Sequence, residues 1–410
     1  MRVVSAALLL LATSCTADPC KRGDVDRSES GIWSFDLAEC TELNLGGGAI
    51  TDEGAGALAE ELKDNDALTV LNLWSTSIGD AGASALAKAL KTNSKLTVLN
   101  LNGNSITDDG ARELAQALQT NDALTTLHLY QNSIGDDGAG AFGQALQSNG
   151  VLTKLDLSSN FAGPNGARAL AEGLTSNTAL TWLGLSSNSL GGDGLTGLAA
   201  GLKSNGALAT LNLFNNSIGE DDGMKALAEA LKTNEALTTL NLNGNSIGVS
   251  GARALGEALK TNSALSSLNL HQNGLGDDGL AELAEGLKNN SGLTALNLND
   301  NEIGADGATV LAEALKSNGA LTKLNLNNNK IGDSFAKAFA RAAESESPEE
   351  RVRFMDVVLG KIEGLAAFEA SAAEAEEKAA QAAEKARQAV EKAKTKAAEE
   401  IRKKREKDEI

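Results

Sequence analysis

Aromatic residues are scarce in this chain of 410 residues, at 3% of the total, and there are only three prolines, three cysteines and two histidines. Positive charge is short too: 36 Lys and Arg against 55 Asp and Glu leave a net charge of -19. That balance disfavours DNA, RNA and anionic membrane surfaces as partners, and favours a basic partner or solubility alone. No cysteine or serine has a base at motif spacing, and no glycine-rich phosphate loop follows a strand-like segment. Asp-Asp pairs such as Asp108-Asp109 lack the ligand pattern of a calcium loop. The expectation is a non-catalytic protein without metal or cofactor. Beyond the N-terminal leader, no segment is apolar enough to span a bilayer.

The leader reads MRVVSAALLLLATSCTADPC. Arg2 supplies a charged start, Val3 to Ala12 an apolar run, and small residues follow as far as Ala17. This is the form of a secretory signal peptide over residues 1–17. A cut just before Cys15 would instead make a lipoprotein. After cleavage at Ala17, Cys20 and Cys40 remain, at the ends of an N-terminal cap over residues 18–40. In an oxidising compartment they can pair, closing a loop of about 20 residues. The alternative is two buried thiols.

Repetition is what the chain has in abundance. Eleven Leu-x-Leu pairs run from Leu43/Leu45 to Leu324/Leu326 at steps of 28 residues, with one step of 29. The extra residue falls in IGEDDG, residues 218 to 223. Each unit has a strand-like half, LTxLNLxxNxIG, and a half with apolar residues at helical spacing, such as Ala83, Leu86, Ala87 and Leu90. Asp80 sits where it can cap its own helix, and Lys91, Lys232, Lys260, Lys288 and Lys316 sit near helix C-termini, where the dipole favours them. Asn104, Asn132, Asn160, Asn188, Asn216, Asn245, Asn273, Asn301 and Asn329 form a ladder at the turn out of each strand. A buried amide there can satisfy backbone groups that the turn leaves unpaired. Gly48 and Thr76 break the ladder at its N-terminal end.

The pattern LxxLxLxxNxI followed by a helix, over roughly residues 40 to 343, resembles a leucine-rich repeat array of the ribonuclease-inhibitor type. The resemblance implies an α/β fold, a curved solenoid of about eleven strand–helix repeats over residues 41–343 with a parallel sheet on the concave face. Spacing supports the curve, because strands lie about 4.8 Å apart and packed helices about 8–10 Å. In each strand the leucines point inward and the residues between them face the concave surface. Trp74, His128, Tyr130, Trp182, Phe214 and His271 all occupy such positions. They are the candidate partner-binding residues, since Trp and Tyr anchor protein interfaces. The competing reading is that a Leu/Ala core simply excludes bulky side chains. His128 and His271 are about five strands apart, near 24 Å, too far for one catalytic site. Phe161 and Pro164 mark an irregular fifth unit, and Asn215-Asn216-Ser217 and Asn289-Asn290-Ser291 are glycosylation sequons.

Residues 344–410 leave the repeat. SPEE, Ser347 to Glu350, is a capping box. Beyond about Leu365 the composition is that of a long charged helix, either solvated or weakly self-associating over residues 348–407. The chain ends in KDEI, which resembles the ER-retrieval signal KDEL with its last residue changed. ER lumen and exterior both stay open. The function expected is a scaffold that binds a partner protein in the concave face. The alternatives are a regulator, similar to GTPase activators or to cysteine-rich enzyme inhibitors of the same repeat type, and a structural spacer oligomerised by its arm.

Overall fold

The computed structural model describes residues 25–27, 33–35, 37, 40–220 and 222–331. The chain divides into two compact units, Met1–Ser246 and Ile247–Ile410. The signal peptide, Cys20, the helical arm and KDEI lie outside the described residues.

The first unit opens with two antiparallel strands, β1 (Val25–Arg27) and β2 (Trp33–Phe35). The Trp33 and Phe35 rings stack at 6.0 Å, and Trp33, Phe35, Leu37 and Cys40 are all buried. They close the open end of the first repeat, whose leucines would otherwise face water. Cys40 is disulfide-bonded. The repeats then follow as β3 (Glu42–Asn44), α1 (Thr51–Lys63), β4 (Val70–Asn72), α2 (Asp80–Leu90), β5 (Val98–Asn100), α3 (Asp108–Leu118), β6 (Thr126–His128) and α4 (Asp136–Leu146). They continue as β7 (Lys154–Asp156), α5 (Pro164–Leu174), β8 (Trp182–Gly184), α6 (Gly191–Leu202), β9 (Thr210–Asn212), α7 (Asp222–Leu231) and β10 (Thr239–Asn241). Strands β3 to β10 form a parallel sheet in chain order, each residue paired with its equivalent in the next repeat, as Leu71 with Leu99. The 29-residue step is taken up between β9 and β10 without loss of register, Leu211 still pairing with Leu240.

The second unit repeats the pattern: α8 (Gly248–Leu259), β11 (Ser267–Asn269), α9 (Gly276–Leu287), β12 (Ala295–Asn297), α10 (Ala305–Ser317) and β13 (Lys323–Asn325). Its three strands are parallel and in equivalent register. In both units the leucines of the Leu-x-Leu pairs are buried, except that Leu45 of the first pair and Leu326 of the last are half-buried; Ala83, Leu86, Ala87 and Leu90 are buried on the helix side.

The asparagine ladder is buried from Asn132 to Asn301, with Asn104 and Asn329 half-buried at its ends, and much of its bonding is between repeats. Asn160 donates from Nδ2 to Leu129 O of the preceding repeat at 2.9 Å and to its own Leu157 O at 3.0 Å, while its Oδ1 accepts from Ile134 N at 3.0 Å. Thr76 takes the ladder position with a hydroxyl that donates to Leu73 O at 2.7 Å. A second buried ladder, Asn93, Asn121, Asn149, Asn177, Asn205 and Asn234, stands at the other end of the helices. Asn121 Nδ2 donates to Leu90 O, the last carbonyl of the previous helix, at 2.7 Å, and its Oδ1 accepts from Leu124 N at 2.7 Å. Each ladder therefore satisfies orphan helix-end and turn groups one repeat away.

The aspartates correct the expectation that each caps its own helix. Asp80 is already the first residue of α2, and its carboxylate accepts from Thr107 N (2.8 Å) and Gly110 N (3.0 Å) at the start of α3. Asp52 does the same for Gly79 and Gly82, Asp108 for Gly135 and Gly138, and Asp277 for Gly304. Stacked helices start one above another, so a carboxylate at the first position of one helix reaches the free N–H groups of the next. Where the preceding repeat carries Pro164 or Val249 instead, α6 and α9 start one residue earlier, at Gly191 and Gly276, with φ of +61° and +59°. Those N–H groups donate to Asn216 O and Asn301 O of the following repeat. Gly248 takes the same path, with φ of +57°, although the helix before it begins with Asp222. Asp108→Ala is expected to cost about 2 kcal/mol in chemical denaturation, because it orphans two N–H groups held by a charged acceptor. Asp108→Asn, which keeps the acceptor oxygen, should cost less than half of that.

Candidate functional site

In each three-residue strand the middle leucine is buried, so its two neighbours face the open side of the sheet, and the residue two further on joins them. Across β3 to β10 this gives 24 positions, of which three are charged: Glu42, Lys154 and Asp156. The net charge of the face is therefore -1, in a chain of -19. The acidic balance of the whole chain, which favours a basic partner or solubility alone, is therefore not a property of this face. The acids sit instead in the first turns of helices, as Asp108 with Asp109 and Asp136 with Asp137, where the dipole favours them. Asn44, Asn72, Asn100, Asn212 and Asn241 fill most of the middle row, and Asn241 donates to Asn212 at 2.9 Å.

The structure brings five of the six expected residues onto this face. Trp74 is 46% exposed, Tyr130 40% and Phe214 37%, and His128 and Trp182 are half-buried. Three of the rings lie across glycines. A Cβ on Gly46 would collide with the Trp74 indole, and one on Gly47 would come within 3.7 Å of it. The Trp182 ring covers Gly184, where a Cβ would lie 2.6 Å away, and Phe214 lies beside Gly244 at 3.3 Å. The glycines explain how large rings fit on a sheet whose other rows are amides. They hold the rings against the backbone and turn the other faces outward.

The charges of the face gather at its middle. The Lys154 ammonium sits over the Trp182 ring, 4.6 Å from its centroid, in cation–π contact. Asp156 shares the strand of Lys154: His128 Nδ1 is 3.9 Å from its Oδ2, and Ser158 N donates to its Oδ1 at 3.0 Å. Burial pushes the Asp156 carboxyl up, but the contacts with His128 and with the Ser158 side chain and backbone outweigh it and hold the group below the ordinary carboxylate range. Tyr130 N donates to Asn102 Oδ1 at 2.8 Å. The cluster offers a fixed carboxylate, a fixed ammonium and two aromatic rings within three adjacent strands.

His271, the sixth residue, belongs to the second unit, where its Nε2 lies 3.4 Å from Asn299 Nδ2. Phe161 is 70% exposed but stands at the turn into α5, outside the three face positions. Sequence reasoning missed Lys154 and Asp156, which sit at face positions but are ordinary surface residues by type. It also missed the glycine seats, although Gly184 interrupts a row that is otherwise asparagine, aspartate or histidine. Among the described residues no group of three or more His, Cys, Asp or Glu comes together to hold a metal ion, and no helix is long and apolar enough to cross a membrane.

Comparison with known proteins adds the following. Residues 38–164 match the TMOD/LMOD Leucine-rich domain, and residues 233–256, 261–284, 289–312 and 320–340 match the Leucine Rich repeat model. Among solved structures, the chain is similar to leiomodin-1 actin-binding site 2, at 28% identity over 32% of this chain and 80% of that one, with a TM-score of 0.29. It is also similar to a chain of the Rad7 and Elc1 complex in yeast, at 17% identity over 71% of this chain and 76% of that one, with a TM-score of 0.36. No curated protein matches.

Proposed function

Since the chain is a leucine-rich repeat protein, we propose that it is a non-catalytic scaffold that docks a partner protein on the open sheet face of its first unit. The observation that carries this reading is the placement of Trp74, Tyr130, Trp182 and Phe214 on one face of an otherwise aromatic-poor protein. A core of leucine and alanine could have left these positions to asparagine and threonine, as it does at Asn102 and Thr239. Rigid aromatic anchors in a field of near-neutral contacts are the usual anatomy of a binding hot spot. The same reading keeps the chain in the secretory pathway, where the disulfide at Cys40 would persist.

The test is affinity capture from the native host with the parent and with the Tyr130→Ala, Trp182→Ala double variant. Both side chains project from the face, so the unfolding midpoint should change little. Retention of the specific partner is expected to fall at least tenfold, about the loss of one hot-spot residue. Equal retention by parent and variant would remove the face as the docking site.

A further inference from the structure

The chemistry of the face narrows what it can recognise. Its rows are amides and hydroxyls, with aromatic rings lying on glycine and almost no net charge. The side-chain oxygens of Asn72, Asn100 and Asn212 already accept from the backbone N–H two residues on, so these amides offer a ligand their N–H donors, and a surface pressed against them must supply an acceptor to each, because a buried polar group left unpaired costs about 1–3 kcal/mol. A chain of hydroxyls meets that demand more easily, since every hydroxyl can both donate and accept. The rings fit the same ligand. An indole lying on its glycine seat presents a flat, electron-rich face, and the C–H faces of a sugar ring stack on such a surface. Trp74 and Tyr130 stand two strands apart, about 10 Å, so a ligand running across the strands meets them in turn. The one cation of the face, Lys154, is already held by the Trp182 ring. An anionic chain would therefore find no charge to pair with, and an uncharged one pays no penalty.

From these observations we infer that the sheet face of the first unit recognises an uncharged carbohydrate chain, borne by the partner it docks. The inference rests on the reading that this face is the docking site. It differs from that reading in its ligand. The glycan's hydroxyl oxygens accept from the amides of Asn72, Asn100 and Asn212, and its C–H faces lie on Trp74 and Phe214.

The full-length protein is titrated calorimetrically with neutral hexasaccharides (cellohexaose, laminarihexaose, maltohexaose, mannohexaose) and with a hexamer of galacturonic acid. At least one neutral hexasaccharide is expected to bind saturably at about 1 mM or tighter, and its affinity should be unchanged between low and high salt because no ion pair is formed. Trp74→Ala and Asn100→Ala should each weaken it about tenfold, with the unfolding midpoints of both variants as the control for folding. The inference is overturned if no neutral hexasaccharide binds, if only the acidic hexamer binds, or if both variants bind as the parent does. The two readings part in the capture experiment. Partner retained through Tyr130 and Trp182, but not released by any neutral hexasaccharide, leaves the scaffold standing and removes the glycan.

Discussion

Gly173→Ala is expected to destabilise the first unit by about 3 kcal/mol, at the upper end of the cost of overpacking. Gly173 is buried in α5 where that helix meets α4, and an added Cβ would collide with the carbonyl oxygen of Gly143. The obstacle is backbone, so no rotamer change relieves it. The same contact recurs between α8 and α9, where a Cβ on Gly286 would strike Gly256 O. Helices in these pairs approach backbone to backbone, and one methyl group must push a whole helix aside. Gly56→Ala is the control. Gly56 lies inside α1 with nothing within 4 Å of its added Cβ, so the substitution should stabilise by about 0.5–1 kcal/mol through helix propensity alone. Chemical denaturation of both variants measures the contrast, and two changes of the same sign would contradict the packing described.

Asn188→Ala is expected to cost about 4 kcal/mol. Asn188 is 1% exposed. Its amide donates to Leu157 O at 2.9 Å and Ser186 O at 3.1 Å, and its Oδ1 accepts from Ala162 N at 3.0 Å. Leu157 O keeps a second donor in Asn160, and Ser186 O keeps Ser159 N. Ala162 N–H keeps nothing, and one orphaned buried donor costs about 1–3 kcal/mol beyond the bonds lost. Asn188→Thr should cost nearly as much as alanine, because at the same rung the Thr76 hydroxyl donates to its own Leu73 O and such a bond leaves Ala162 N–H without an acceptor. A threonine variant as stable as the parent in denaturation would show that the bond to Ala162 N does not set the rung.

Much of this architecture is legible in the sequence, because a repeat prints the same physical demand eleven times. Leu71 and Leu99 face the core for the same reason, and their spacing marks the register before any coordinates exist. The ladder from Asn104 to Asn301 is legible likewise, since a polar residue kept at a turn beside leucines needs a buried partner. Asp80 shows where local reading fails. Its neighbours in sequence suggest a cap for its own helix, but its acceptor oxygen serves Thr107 and Gly110 one repeat later. The second ladder is hidden for a similar reason: Asn121 looks like a loop residue until Leu90 O of the previous repeat is seen to need it. On the face, Trp74 and Tyr130 stand out by rarity, whereas the role of Gly46 as a seat depends on where the neighbouring ring lies down. Net charge misleads most, because -19 is a sum over the whole chain and the sheet face holds almost none of it.

The central claim is that the open sheet face of the first unit is where the partner docks. Hydrogen exchange of the full chain, free and with its captured partner, tests it most directly. The account predicts new protection over residues 126–131, 154–159 and 182–187, the strands and following turns that carry Tyr130, Asp156 and Trp182. Protection confined to the helices, with these segments exchanging as in the free protein, would contradict it.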